Sequence, residues 1–150
     1  MNVVTGNLLD LAANGHFDVL IHGCNCQCTM GAGIAKQIKQ RFPAAFEADL
    51  RTSAGAQKLG TISFATVTAQ GHSFTIVNGY TQAHWRGNGV KVDYEAVRSV
   101  MRLVKSQFPG SRIGYPRLGA GLAGGDWQRI AHIIAEELAG ENHTLVEYAF

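Results

Sequence analysis

Phe17-Asp18-Val19-Leu20-Ile21-His22 is an apolar run that leads through a polar stretch, Asn25–Met30, into Gly31-Ala32-Gly33. From Ile34 the pattern changes. Ile34, Ile38 and Phe42 recur at helical spacing, with Lys36, Lys39 and Arg41 on the other faces. A buried strand, a glycine turn and an amphipathic helix in that order are one unit of an α/β protein. The same order returns near the end of the chain. Ser111–Tyr115 reads as a strand, Pro116–Gly125 as a second glycine-rich loop, and Trp127, Ile130, Ile134 and Leu138 as the stripe of a last helix.

Working outward, Asn2–Thr5 reads as a short strand stopped by Gly6-Asn7, and Pro43 marks the boundary before a helix over Ala44–Leu50. Thr61–Thr68 and Ser73–Asn78 read as paired strands around Gln70-Gly71-His72, and a loop is expected over Gly79–Gly89. Val97, Val100, Met101, Val104 and Phe108 trace a long helix closed by Pro109-Gly110, and His143–Phe150 reads as the final strand. Strands alternating with helices around apolar central strands predict an α/β sandwich with helices on both faces.

The chain has 150 residues, the length of one domain, read as residues 1–150. Its 46% apolar content and net charge of +2 exclude disorder, and the near-neutral balance gives no argument for a nucleic-acid surface. No apolar run approaches the roughly 18 residues of a membrane span. The start, Met1-Asn2-Val3-Val4-Thr5, lacks the basic and apolar segments of a signal peptide, so the cytoplasm is the expected setting and no membrane partner is expected. Cys24, Cys26 and Cys28 are spaced by single residues with no distant ligand pair to answer them. They read as reduced thiols lining a strand exit rather than as a zinc site or disulfide framework.

Glycine makes up 18 residues and is clustered. Both clusters lie between the carboxyl end of a strand and the start of a helix, the edge where open α/β sheets bind ligands. Such turns let backbone N–H groups approach a phosphate, with the helix N-terminus adding partial positive charge. Two of them, Met30–Ala35 and Gly119–Gly125, suggest a diphosphate held from both sides; tight strand-to-helix turns are the alternative. The third glycine of the dinucleotide fingerprint is absent, and no Gly-Lys-Ser/Thr follows either loop.

Val4-Thr5-Gly6-Asn7-Leu8-Leu9, His22-Gly23-Cys24-Asn25, Met30-Gly31-Ala32-Gly33-Ile34-Ala35 and Pro116-Arg117-Leu118-Gly119-Ala120-Gly121-Leu122 together resemble a macrodomain. The resemblance is to the branch holding the terminal ADP-ribose protein glycohydrolase and the yeast-type ADP-ribose 1''-phosphate phosphatase. It implies a three-layer α/β/α sandwich with a mixed central sheet and a cleft that binds ADP-ribose. By that resemblance Gly6, Asn7 and Leu8 stand at the adenine edge, with Asn7 alternatively a turn or helix cap. Tyr148 and Phe150 line the adenine pocket or pack. Asn25 meets the distal ribose, and Met30, Gly31, Gly33 and Ile34 wrap the ribose and diphosphate from one side. From the other, Pro116, Arg117 and Leu118 lead into Gly119, Ala120, Gly121 and Leu122, which supply backbone donors. Arg117 is either a phosphate ligand or a solvated side chain at the rim.

Where the branch glycohydrolase uses a lysine and an aspartate, alignment on the glycines puts Gly79 or Tyr80 and Ala123. Neither pair can act as nucleophile and base. Three residues remain for chemistry at C1'': Asn25 to orient water, His84 as acid–base group or exposed loop histidine, and Asp126 as water-positioning carboxylate or helix cap. His22, inside an apolar strand, reads as a core histidine. No metal or cofactor is expected. The expected activity is hydrolysis at C1'' of the distal ribose, first as a 1''-phosphate phosphatase. The alternatives are removal of ADP-ribose from protein or nucleic acid, and binding without turnover.

Overall fold

The computed structural model describes residues 1–87 and 89–149. Its strands are β1 (Asn2–Gly6), β2 (Val19–Asn25), β3 (Ile62–Ala69), β4 (His72–Gln82), β5 (Arg112–Tyr115) and β6 (Asn142–Tyr148). The helices are α1 (Leu8–Ala13), α2 (Gly33–Arg41), α3 (Pro43–Leu50), α4 (Tyr94–Gln107) and α5 (Trp127–Glu137), with a 3-10 turn at Ala56–Lys58. All six strands form one sheet in the order β1-β6-β5-β2-β4-β3. Every pairing is parallel except β3 with β4, so the sheet is mixed.

Alternation along β2 explains why its sequence is apolar throughout. Successive side chains leave opposite faces of a strand. Val19 and Ile21 pack with Val100, Met101, Ile130 and Ile134 under α4 and α5. Leu20 and Cys24 pack with Leu9, Ile38, Phe42 and Phe74 under α1, α2 and α3. Both faces are therefore covered, and the architecture is the three-layer α/β/α sandwich.

Two elements depart from the sequence reading. α1 has only six residues, too few for a visible helical period, and Asn7 proves to be its cap: Asn7 Oδ1 accepts from the N–H groups of Leu9 and Asp10 at 3.0 and 3.1 Å. β4 does not stop at Asn78 but continues through Gly79, Tyr80 and Thr81 to Gln82. Gly79 is there for space and not for a turn, because a Cβ would lie 2.7 Å from Val100 Cγ1. The last strand ends at Tyr148, and Phe150 lies outside the described residues.

The three cysteines are free thiols, Cys24 and Cys26 buried and Cys28 partly so. Burial pushes the Cys24 and Cys26 thiols up from their ordinary range. His22 is the core histidine its context suggested. Its Nε2 donates to Asn78 Oδ1 at 2.6 Å, and burial lowers its pKa to about 4. Among the described residues no helix is long and apolar enough to cross a membrane.

Candidate functional site: a cleft between two glycine loops

The carboxyl ends of β2, β4 and β5 open into a cleft of about 760 Å³. Its floor is Gly23, Cys24, Asn25 and Gln82, with Thr29 beside it. Met30–Ala35 forms one wall, Pro116–Ala123 without Ala120 the other, and Trp85 and Lys91 lie at the rim. The two walls approach each other closely: a Cβ at Gly33 would lie 3.5 Å from Leu122 Cδ1.

The first wall is the start of α2. Gly33 takes a positive φ of 58°, and the preceding residue, Ala32, has no side chain able to cap the helix. The first-turn N–H groups are thus left for whatever occupies the cleft. The second wall is folded back on itself. The N–H of Ala120 donates to Arg117 O, that of Gly124 to Gly121 O, and that of Gly125 to Gly119 O at 2.8 Å. A Cβ on Gly125 would sit 2.6 Å from Gly119 O, so this glycine is required by the fold of the loop itself. Among the described residues the N–H groups of Gly121, Leu122 and Ala123 meet no protein acceptor. Successive free N–H groups of this kind form an anion-binding concavity.

Lys91 ties the second wall in place. Its N–H donates to Ala123 O at 2.7 Å and its Nζ to Leu122 O at 3.3 Å. Among the described residues no aspartate or glutamate lines the cleft, whereas Lys91 and Arg117 both do. Glu147 holds the Arg117 guanidinium at 2.6 and 3.0 Å, raising its pKa, and the group lies over the Trp127 ring. Its side chain is about half exposed at the edge of the second wall.

Asn25 reaches the cleft at the end of β2. Its Oδ1 accepts from Gln27 N and its Nδ2 donates to Thr29 Oγ1, both at 2.8 Å. The amide is held still, and keeps one lone pair and one N–H for a ligand. The other two candidates for chemistry are elsewhere. Asp126 is outside the lining and caps α5, accepting from Gln128 N at 3.0 Å. His84 is exposed and also outside the lining, its Nδ1 accepting from Arg86 N at 3.1 Å. Gly6 and Tyr148 are brought opposite each other in the β1–β6 pairing, and Leu8 is buried. None of Gly6, Asn7, Leu8 and Tyr148 lines this cleft.

The longer β4 places both residues aligned with the lysine inside the sheet. Gly79 pairs with Gly23 and Ile62 inside the sheet, and Tyr80 is fully buried. Neither can present a side chain to a ligand, and it is Gln82, at the end of that strand, that lines the cleft. Ala123 lines the second wall. Gln82 and Lys91 escaped sequence reading because nothing in their neighbours distinguishes them from loop residues.

The Macro domain family matches residues 21–134. A 17.5 kDa protein of the tk-vs intergenic region of enterobacteria phage T4 is 35% identical over 138 residues, covering 87% of this chain and 85% of that protein. A DNA ADP-ribosyl glycohydrolase of Mycobacterium tuberculosis is 28% identical over 115 residues. That match spans 75% of this chain but only 32% of the relative. The macrodomain of Thermus aquaticus DarG superposes with a TM-score of 0.75 at 27% identity, covering 99% of this chain and 97% of that structure. A six-stranded mixed sheet with two glycine loops converging on one cleft, and a family match across most of its length, place this chain in the macro domain family.

Proposed function

We propose that the cleft binds ADP-ribose and that the protein hydrolyses a bond at C1'' of its distal ribose. The observation that carries this reading is a cleft lined, among the described residues, by two sets of uncommitted backbone N–H groups and by no carboxylate. That arrangement suits a diphosphate, and Asn25 sits between the two loops where a ribose hydroxyl or a water could be held. In the hydrolytic step water attacks C1'', the bond from C1'' to the leaving oxygen breaks, and the proton of water passes to the substrate's own phosphate. The protein contributes positioning and stabilisation of negative charge by fixed N–H dipoles.

With Gly79 and Tyr80 inside the sheet and Ala123 on the second wall, the lysine and aspartate of the branch glycohydrolase have no counterpart at the positions aligned with them. A 1''-phosphate leaves with little help from such a pair, which makes ADP-ribose 1''-phosphate the first substrate. A nucleic-acid acceptor is the second reading. It is favoured by Trp85, 47% exposed at the rim with the Arg86 guanidinium 4.6 Å from its ring centroid, a platform on which a base could stack. The test is calorimetric titration of ADP-ribose followed by phosphate release from ADP-ribose 1''-phosphate. Binding with release, reduced at least tenfold in Asn25→Ala, is the expected outcome. Binding without release on either that substrate or ADP-ribosylated DNA would leave a reader of ADP-ribose and overturn the hydrolase reading.

A further inference from the structure

β2 and β4 run in register from Val19↔Thr75 to Cys24↔Tyr80, and then the register slips: the next pair is Asn25↔Gln82. Thr81 is the extra residue, a bulge at the carboxyl edge of the sheet under the cleft. Bulges of this kind re-aim a side chain and recur next to ligand sites. This one has a cost, since Thr81 Oγ1 is buried without a hydrogen-bond partner among the described residues. What it achieves is to set two carboxamides, Asn25 and Gln82, side by side on the cleft floor.

The Gln82 side chain is half committed. Its Nε2 donates to His84 O at 3.0 Å, within the turn that carries Trp85 to the rim. No described residue donates to its Oε1. Among the described residues no carboxylate lines the cleft, so the Gln82 amide oxygen is, with that of Asn25, a side-chain carbonyl acceptor at its floor. A diphosphate offers no donor to such an oxygen, whereas a ribose offers hydroxyl groups.

We propose that Gln82, brought opposite Asn25 by the bulge at Thr81, is a specificity residue for the distal ribose. Its Oε1 accepts a hydrogen bond from a ribose hydroxyl while its Nε2 holds the Trp85 turn over the same sugar. The assignment rests on the reading of the cleft as an ADP-ribose site with Asn25 at the distal ribose.

The experiment is calorimetry with two ligands, ADP-ribose and ADP, the second lacking the distal ribose. Gln82→Met, which keeps the length of the side chain but removes both polar atoms, and Gln82→Ala are compared with the wild type. Both variants should lose roughly five- to tenfold in ADP-ribose affinity, the worth of about one neutral hydrogen bond. ADP affinity should stay within about twofold, which a general disturbance of the cleft would not allow. Unchanged ADP-ribose affinity, or an equal fall for both ligands, overturns the role of Gln82 and leaves the cleft reading intact. A wild type that binds neither ligand overturns the cleft reading and this assignment together.

Discussion

The two faces of the sheet are built on different principles. Under α4 and α5 the core is almost wholly aliphatic, and its main polar contact joins Tyr115 Oη to His143 Nδ1 at 2.6 Å. Under α3 a chain of polar groups runs through the core instead. His22 donates to Asn78, whose Nδ2 donates to Ser63 Oγ at 3.0 Å. Ser63 and Tyr80 share a 2.6 Å bond, and Tyr80 Oη donates to Asp49 Oδ1 at 2.7 Å. Lys58 closes the chain with its Nζ 3.1 Å from Asp49 Oδ1 and 3.3 Å from Cys28 Sγ. Both members of that ion pair are buried. The aliphatic face is non-directional and tolerates small shifts, whereas the polar face specifies one arrangement. The polar face is also the one beneath the Asn25–Met30 loop, so the rigid bonding network lies where the cleft floor must be held in register.

The largest effect should come from breaking the ion pair on one side. Lys58→Met leaves Asp49 charged and buried and should destabilise by about 4 kcal/mol, read by urea denaturation. Adding Asp49→Leu should recover much of that loss, because the pair's desolvation is removed with it. If Lys58→Met costs no more than a surface substitution, the contrast between the faces fails.

A second effect weighs the polar face by pH. His22 binds its proton only near pH 4 in the folded state, against about 6.5 when unfolded. The unfolded chain therefore takes up protons first as pH falls, and stability is lost between about 6.5 and 4. The loss attributable to this group is about 3 kcal/mol on complete descent through that window. Asp49 and Lys58 face the same pocket, and burial also lowers the pKa of His143 on the other face, so the profile is compared with that of His22→Gln, in which most of the pH 4 to 6.5 component should disappear. A profile unchanged by that substitution would move the effect elsewhere.

The smallest effect is expected from the aliphatic face. Tyr115→Phe removes one neutral hydrogen bond to His143 and should cost about 1 kcal/mol. A loss comparable to that of Lys58→Met would show that both faces depend on polar bonding alike.

Local sequence was enough for much of this molecule. Strand β2 and helices α2, α4 and α5 were legible because burial on two faces makes a continuous apolar run, and burial on one makes a stripe of period 3.6. The two glycine loops were legible for a related reason: positive φ and close backbone approach restrict a position to glycine, as at Gly33, Gly119 and Gly125. The resemblance carried by those loops was sufficient to expect the fold and the family. Tertiary structure alone decided which side chains face the cleft. Gly79 looks like a loop residue until Val100 is packed against it, Arg117 is paired with Glu147, and Gln82 reaches the floor through a bulge. Each of these depends on a partner distant in the chain, or on a slip of one residue in strand pairing. A pattern of neighbours along the sequence contains neither kind of information.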